Sequence, residues 1–215
     1  LDCDMLPVPK TVEAYMSYLH VSTQAALIGY RRFVSTEEIT AEEIRKDISL
    51  ATNLPDIQTG NVMVTKAGET GPTIDWREKI YRETNQLKEL DYPFRVFCGG
   101  NVAFCKSILK KTGQFDEDFQ AWGAEDTEMG FRVYNEGYYL IPVESAIGLH
   151  QEPPGGENET DREGGREITH SILVDKCPAA HYRKYEEGKL YSVPKVSIYM
   201  PAYNAEKYIE RAVES

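Results

Sequence analysis

The sequence predicts an α/β domain, and three observations predict it. Apolar runs of strand character, Ala25–Tyr30, Tyr138–Pro142 and Ala146–His150, alternate with segments of helical period. Turn-forming clusters, Gly99-Gly100-Asn101 and Pro153-Pro154-Gly155-Gly156, stand between those segments. Near the end, Val196–Met200, the turn Pro201-Ala202-Tyr203-Asn204 and a helical pattern from Ala205 give a strand, a turn and a helix in order.

Taken in order, Thr11–His20 predicts a helix, with Val12, Tyr15, Met16 and Leu19 at i, i+3, i+4 and i+7. Ala25–Tyr30 reads as a strand. Thr36–Leu50 reads as an acidic helix capped by Ser35 or Thr36. Residues 51–75 are polar and carry glycine, as a long surface loop does. Tyr92–Phe97 leads into Gly99-Gly100-Asn101, and a helix is expected to begin near Lys106. Glu125–Asn135 predicts a helix closed by Gly137. Tyr138–Pro142 and Ala146–His150 read as two strands. Residues 152–165 read as a mobile loop, and 168–193 as a helical linker. The chain opens on an acidic pair with only Leu1 before it and stops soon after a new strand, turn and helix. Both ends read as those of an excised fragment.

The chain has 215 residues, 41% hydrophobic and 27% charged, enough for one domain with a sizeable core and part of a second. A formal net charge of −11 excludes a nucleic-acid backbone as a natural partner. Four cysteines, Cys3, Cys98, Cys105 and Cys177, lie far apart without metal-ligand spacing, as reduced thiols of a cytosolic protein do. No apolar run approaches the roughly 20 residues that span a bilayer, and no signal peptide is visible.

Three groups of residues carry chemistry. Asp2 and Asp4, at i and i+2 of an extended segment, would point to one face and address one hard cation, Mg²⁺ or Mn²⁺. A solvated Asp-x-Asp turn reads the same. Trp122-Gly123-Ala124-Glu125-Asp126 stands at a helix start, where the helix dipole favours an ionised Asp126 able to accept a proton. Trp122 offers a flat apolar face to a sugar ring; equally, the acids read as helix caps and the Trp as core. His150 ends an apolar run before Gln151-Glu152-Pro153-Pro154-Gly155, a place for a third metal ligand. His20, His170 and His181 have no such context.

In their order, Leu1-Asp2-Cys3-Asp4-Met5, Gly99-Gly100-Asn101-Val102-Ala103, Phe115-Asp116-Glu117, Trp122-Gly123-Ala124-Glu125-Asp126 and His150-Gln151-Glu152-Pro153-Pro154-Gly155 resemble the GT-A glycosyltransferases. The likeness runs over nearly the whole chain and is strongest to the bacterial bifunctional glycosaminoglycan polymerases, the chondroitin-making ones first and the hyaluronan-making ones next. That resemblance implies a GT-A (Rossmann-like) fold with residues 1–165 as the metal, acceptor and catalytic half of a first domain, 166–193 as linker and 194–215 as the start of a second. It implies Asp126 as catalytic base beside Glu125, and Asp4, His150 and Asp2 at a Mn²⁺ (or Mg²⁺) site. Asp2, Asp4 and Tyr203 would meet donors, and Trp122, Glu125, Gly100 and Asn101 the acceptor. In the related β-1,4-galactosyltransferases a second glycine and a further Asp stand where this chain has Ala124 and Thr127.

The activity so implied is inverting transfer of N-acetylgalactosamine from UDP-GalNAc to the non-reducing-end glucuronate of a chondroitin oligosaccharide. A second domain would add glucuronate from UDP-GlcA. UDP-GlcNAc offers the same functional groups, so these residues do not separate the two hexosamines. The resemblance further implies a cytoplasmic enzyme, peripheral to the inner membrane and associated with capsule-synthesis machinery. Arg95 and Arg132 are candidate partners of acceptor carboxylates. A carbohydrate-binding module would explain Trp122 but not the acidic pair and the late His. A phosphotransferase would use Asp2 and Asp4 but needs a Gly-Lys-Ser/Thr phosphate loop, which the sequence lacks.

Overall fold

The computed structural model describes residues 1–57, 74–152 and 162–177. All belong to Leu1–Arg183, the first of two compact units; the second is Lys184–Ser215. The expected second-domain start at 194–215, the linker beyond residue 177 and the Pro/Gly loop at 153–161 lie outside the described residues.

A four-stranded mixed sheet organises the fold, in the order β1-β4-β2-β3. β2 (Ala25–Ser35) lies at its centre, parallel to β4 (Tyr139–Glu152) and antiparallel to β3 (Val102–Phe104). β1 (Met5–Pro7) pairs antiparallel with the other side of β4. Ala25 to Ile28 are all buried, as a strand covered on both faces requires. On one face Ala26 and Ile28 pack with Phe94, Phe97, Met129 and Val133. On the other, Ala25 and Leu27 pack with Tyr15, Val143 and Ala146. The expected α/β class is therefore what folds.

Around the sheet run α1 (Thr11–Leu19), α2 (Ala41–Lys46), α3 (Ser49–Thr52), α4 (Trp76–Glu83), α5 (Leu109–Thr112), α6 (Glu125–Asn135) and α7 (Arg162–Lys176). α6 matches its expected bounds, and Gly137 closes it at φ 81°.

Several expectations are corrected. In α1 the buried stripe is Thr11 and Tyr15, while Val12 and Met16 are exposed. The helix is rotated because polar groups anchor it: the Thr11 hydroxyl donates to the Ile147 carbonyl at 2.8 Å and the Tyr15 hydroxyl to Asn101 Oδ1 at 2.7 Å. The acidic helix starts later than expected, since Thr40 and Glu43 form a capping box that outcompetes Ser35 and Thr36. It also breaks at Asp47, whose carboxylate accepts from the Ser49 amide at 2.9 Å. The two strands expected at 138–142 and 146–150 are one. Register passes from Gly29↔Val143 to Tyr30↔Ile147, so Glu144, Ser145 and Ala146 bulge out of β4. That polar interruption made one strand read as two.

The bulge positions the turn that builds the site. Asn101, fully buried, donates from Nδ2 to the carbonyls of Ala146 and Tyr30, both at 2.9 Å. Gly29 permits this close approach; a Cβ there would stand 2.2 Å from both Asn101 Nδ2 and the Tyr15 hydroxyl oxygen. Asn101→Ala is expected to cost about 3 kcal/mol or more, because a hydroxyl and two carbonyls lose their buried partner. Urea unfolding checks this; a loss below about 1 kcal/mol would contradict the clamp. Tyr15→Phe, which removes one bond of the set, should cost about 1 kcal/mol.

The four cysteines are free. No described helix is long and apolar enough to cross a membrane.

Candidate active site

The Asn101 clamp fixes the preceding turn, Gly99 and Gly100, against the start of α6. Gly99 donates its amide to Asp126 Oδ2 at 3.2 Å, and the Thr127 amide donates to Asp126 Oδ1 at 2.6 Å. Asp2 closes a third side, its amide donating to the Gly100 carbonyl at 3.1 Å. A Cβ on Gly100 would stand 2.9 Å from Asp2 Oδ2, so glycine keeps the carboxylate in place. The result is a cleft of about 320 Å³ lined by Asp2, Gly99, Gly100, Phe115, Glu125 and Asp126 among others. A larger groove of about 970 Å³ beside Tyr134, Tyr138 and Tyr139 has, among the described residues, Glu144 as its one carboxylate, against three in the smaller cleft. The smaller cleft is the better candidate for chemistry.

Glu125 and Asp126 do not cap α6. The N-cap is Ala124, held left-handed at φ 72° directly after Gly123 at φ 97°. A left-handed alanine costs about 1 kcal/mol, and such strain gathers at functional sites. This backbone turns both acids toward the cleft. Burial raises the proton affinity of Asp126, outweighing the two amide hydrogen bonds and the nearby charge of Arg31. The helix dipole favours an ionised Asp126, yet the net shift is upward because the packed surroundings dominate. Glu125 is also shifted upward, first by burial and then by the Asp126 charge, and its Oε2 is buried without a hydrogen-bond partner.

Asp2 and Asp4 part company. The Met5 amide donates to the Asp2 carbonyl at 3.1 Å, so the segment is a tight turn rather than the extended stretch expected to aim both acids at one cation. Asp2 goes to the cleft, while Asp4 Oδ2 lies 3.5 Å from His150 Nε2. Among the described residues no three His, Cys, Asp or Glu side chains converge as a metal cluster. The other oxygen, Asp4 Oδ1, is nevertheless buried and has no hydrogen-bond partner among the described residues. Two protein ligands with substrate phosphates completing the shell is a usual arrangement for a small divalent cation, so Asp4 and His150 fit one.

Trp122 is half-exposed, its ring covered on one side by the Arg162 guanidinium at 5.5 Å and its carbonyl accepting from the Thr169 hydroxyl at 3.1 Å. Lys176 bridges Asp116 and Asp118 and ties the Phe115 loop to α7. The Asn101 side chain is spent on the clamp, so Gly100 alone of that pair faces the cleft. Arg132 is a brace, bound to Glu128 and to the carbonyls of Thr112 and Gln114, and Arg95 does not line the cleft. Tyr203 lies outside the described residues.

One group escaped the sequence reading. Asp75, capping α4, binds Arg77 Nη2 at 2.6 Å and Arg31 Nε at 2.9 Å. Asp75 and Arg77 are essentially sealed from solvent. Partners that lie 44 residues apart, Arg31 and Asp75, leave no spacing to detect. Two consecutive arginines directly after the apolar run Ala25–Tyr30 were the available signal.

A family model described as the N-terminal domain of galactosyltransferase matches residues 80–150, which run from α4 through β3 and α6 to His150. Over its whole length the chain is 46% identical to a chondroitin synthase of Escherichia coli, covering 32% of that protein. It is 43% identical to a hyaluronan synthase of Pasteurella multocida and to a chondroitin synthase of Pasteurella multocida strain Pm70, covering 22% of each. The chain thus spans about a third or less of the length of these relatives. With the mixed α/β sheet, these matches agree with the expected GT-A fold.

Proposed function

From end to end the chain is a relative of the bacterial chondroitin and hyaluronan synthases, and from that premise we propose that its cleft transfers an N-acetylhexosamine from a UDP-sugar to a glucuronate-ended oligosaccharide. The observation that carries the proposal is Asp126: a carboxylate of raised proton affinity, fixed by two amides, lining an open cleft. A base of this kind suits removal of a sugar hydroxyl proton near neutral pH.

The reaction is a single displacement with inversion. The acceptor hydroxyl oxygen forms a bond to the anomeric carbon, the bond from that carbon to the diphosphate oxygen breaks, and UDP leaves with the electron pair. The hydroxyl proton goes to Asp126. In this reading Asp2 and Glu125, which line the cleft, would meet the donor and the acceptor respectively, and Trp122, which lies outside that lining, would meet the acceptor beyond it. Asp4 and His150 would hold Mn²⁺ or Mg²⁺, which when bound neutralises charge on the leaving diphosphate. UDP-GalNAc is the first donor. UDP-GlcNAc is the second, favoured by the hyaluronan synthase at 43% identity. The alternating polymer also draws glucuronate from UDP-GlcA, a step assigned to a second domain, in a cytoplasmic enzyme peripheral to the inner membrane and associated with capsule-synthesis machinery.

The test offers each labelled UDP-hexosamine to the full natural protein carrying this sequence, with Mn²⁺ or with EDTA. Transfer from UDP-GalNAc alone supports the chondroitin reading, and transfer from UDP-GlcNAc alone the hyaluronan one. Asp4→Asn is expected to raise the Mn²⁺ concentration for half-maximal transfer about tenfold or more. An unchanged Mn²⁺ requirement in that variant would remove Asp4 from the metal site.

A further inference from the structure

The cleft poses an electrostatic problem for the substrate proposed for it. Among the described residues, Asp2, Glu125 and Asp126 line it and no Lys or Arg does. A glucuronate-ended acceptor brings a fourth carboxylate. When the attacking hydroxyl sits on the ring carbon next to the one bearing the carboxylate, that group must lie close to Asp126. Like charges so placed repel unless a cation faces the newcomer.

Arg31 is so placed. Its Nε donates to Asp75, and neither Nη makes a hydrogen bond among the described residues. Nη1 stands 4.0 Å from where a Cβ on Gly100 would be, and Asp2 Oδ2 2.9 Å from the same point, so the guanidinium and the Asp2 carboxylate both flank the turn that floors the cleft. Asp75 serves two cations, Arg31 and the fully buried Arg77, whose Nη1 has no hydrogen-bond partner. The trio therefore keeps one net positive charge beneath the cleft. Along β2 the Arg31 guanidinium lies 5.7 Å from the centre of the Phe33 ring, which restricts its swing.

We propose that Arg31 is an acceptor-specificity residue, whose outer guanidinium edge pairs with the carboxylate of the terminal uronate while Asp75 fixes its orientation. This rests on the transferase reading above. A planar fork with two free donor groups matches a carboxylate in two parallel hydrogen bonds, which a lysine does not reproduce.

The test compares two acceptors in the full natural protein: a glucuronate-ended oligosaccharide and the same oligosaccharide with that carboxyl reduced to the alcohol. Wild type should prefer the uronate. Arg31→Gln should raise the KM of the uronate acceptor about tenfold or more, leaving the reduced acceptor and the UDP-sugar KM little changed. Arg31→Lys keeps the charge and the Asp75 pair, and should lose part of the preference with its circular dichroism intact. If Arg31→Gln does not fold, an unchanged uronate KM in Arg31→Lys overturns the proposal. A rise in the UDP-sugar KM instead would assign the cation to the diphosphate and also overturn it. Wild type using both acceptors equally well refutes the role of Arg31 while the transferase stands. Wild type using neither refutes the transferase reading itself.

Discussion

Asp126→Asn is expected to lose hexosamine transfer by about a thousandfold or more, while UDP-sugar binding persists. The amide keeps the size of the carboxylate and an oxygen for the Gly99 or Thr127 amide, so the cleft should hold its shape. It cannot take the proton. Burial raises the Asp126 pKa above the ordinary carboxylate value, so its charged form is lost sooner as pH falls. Wild-type kcat/KM should therefore fall on the acid side as that group protonates. Single-turnover transfer together with UDP-sugar titration reads both halves of the prediction. Substantial transfer in the variant would show that another group is the base.

The largest effect on stability is expected from Asp75→Ala, at about 3–5 kcal/mol. It removes the ion-pair partner that Arg77, which is fully buried, and Arg31, which is mostly buried, have among the described residues. It also removes the N-cap of α4, worth about 1 kcal/mol by itself. A drop of about 10 °C in Tm follows for a unit of this size. The double variant Asp75→Leu/Arg77→Met should recover part of the loss, because a buried charge without a partner costs more than an apolar replacement. Burial works to raise the Asp75 pKa, but the Arg77 and Arg31 charges prevail and hold it well below the usual carboxylate range. A depressed carboxylate stabilises the folded state above its unfolded-state pKa, and that support is lost as pH falls toward the folded value. Wild type should accordingly lose stability in acid along a slope that Asp75→Ala lacks. Equal slopes in the two proteins would count against this pair.

The parts of the fold that were legible in the sequence are those set by local chemistry. α6 was readable because its apolar period, its acidic first turn and Gly137 agree. The cleft acids were readable because Glu125 and Asp126 adjoin a glycine and a tryptophan at a helix start. What stayed hidden depends on groups distant in sequence. The rotation of α1 follows from a Tyr15–Asn101 bond spanning 86 residues, against the stripe its own apolar residues describe. The divergence of Asp2 and Asp4 follows from the Gly100 carbonyl capturing the Asp2 amide, which no i, i+2 argument contains. Asn101 stood in a motif read as acceptor-contacting, yet its side chain is buried holding the turn in place. The left-handed Ala124 was unreadable because alanine gives no signal for positive φ, although glycine at the matching place in the related enzymes pointed there.

The central claim is that the Asp2–Gly100–Glu125–Asp126 cleft is a hexosamine-transfer site. Its most direct test is a single-turnover reaction with labelled UDP-GalNAc or UDP-GlcNAc, a glucuronate-ended oligosaccharide and saturating Mn²⁺, using wild type beside Asp126→Asn. The account predicts one labelled hexosamine added with inverted anomeric configuration by wild type and none by the variant. Equal transfer by both proteins, or retained configuration in the product, would contradict it.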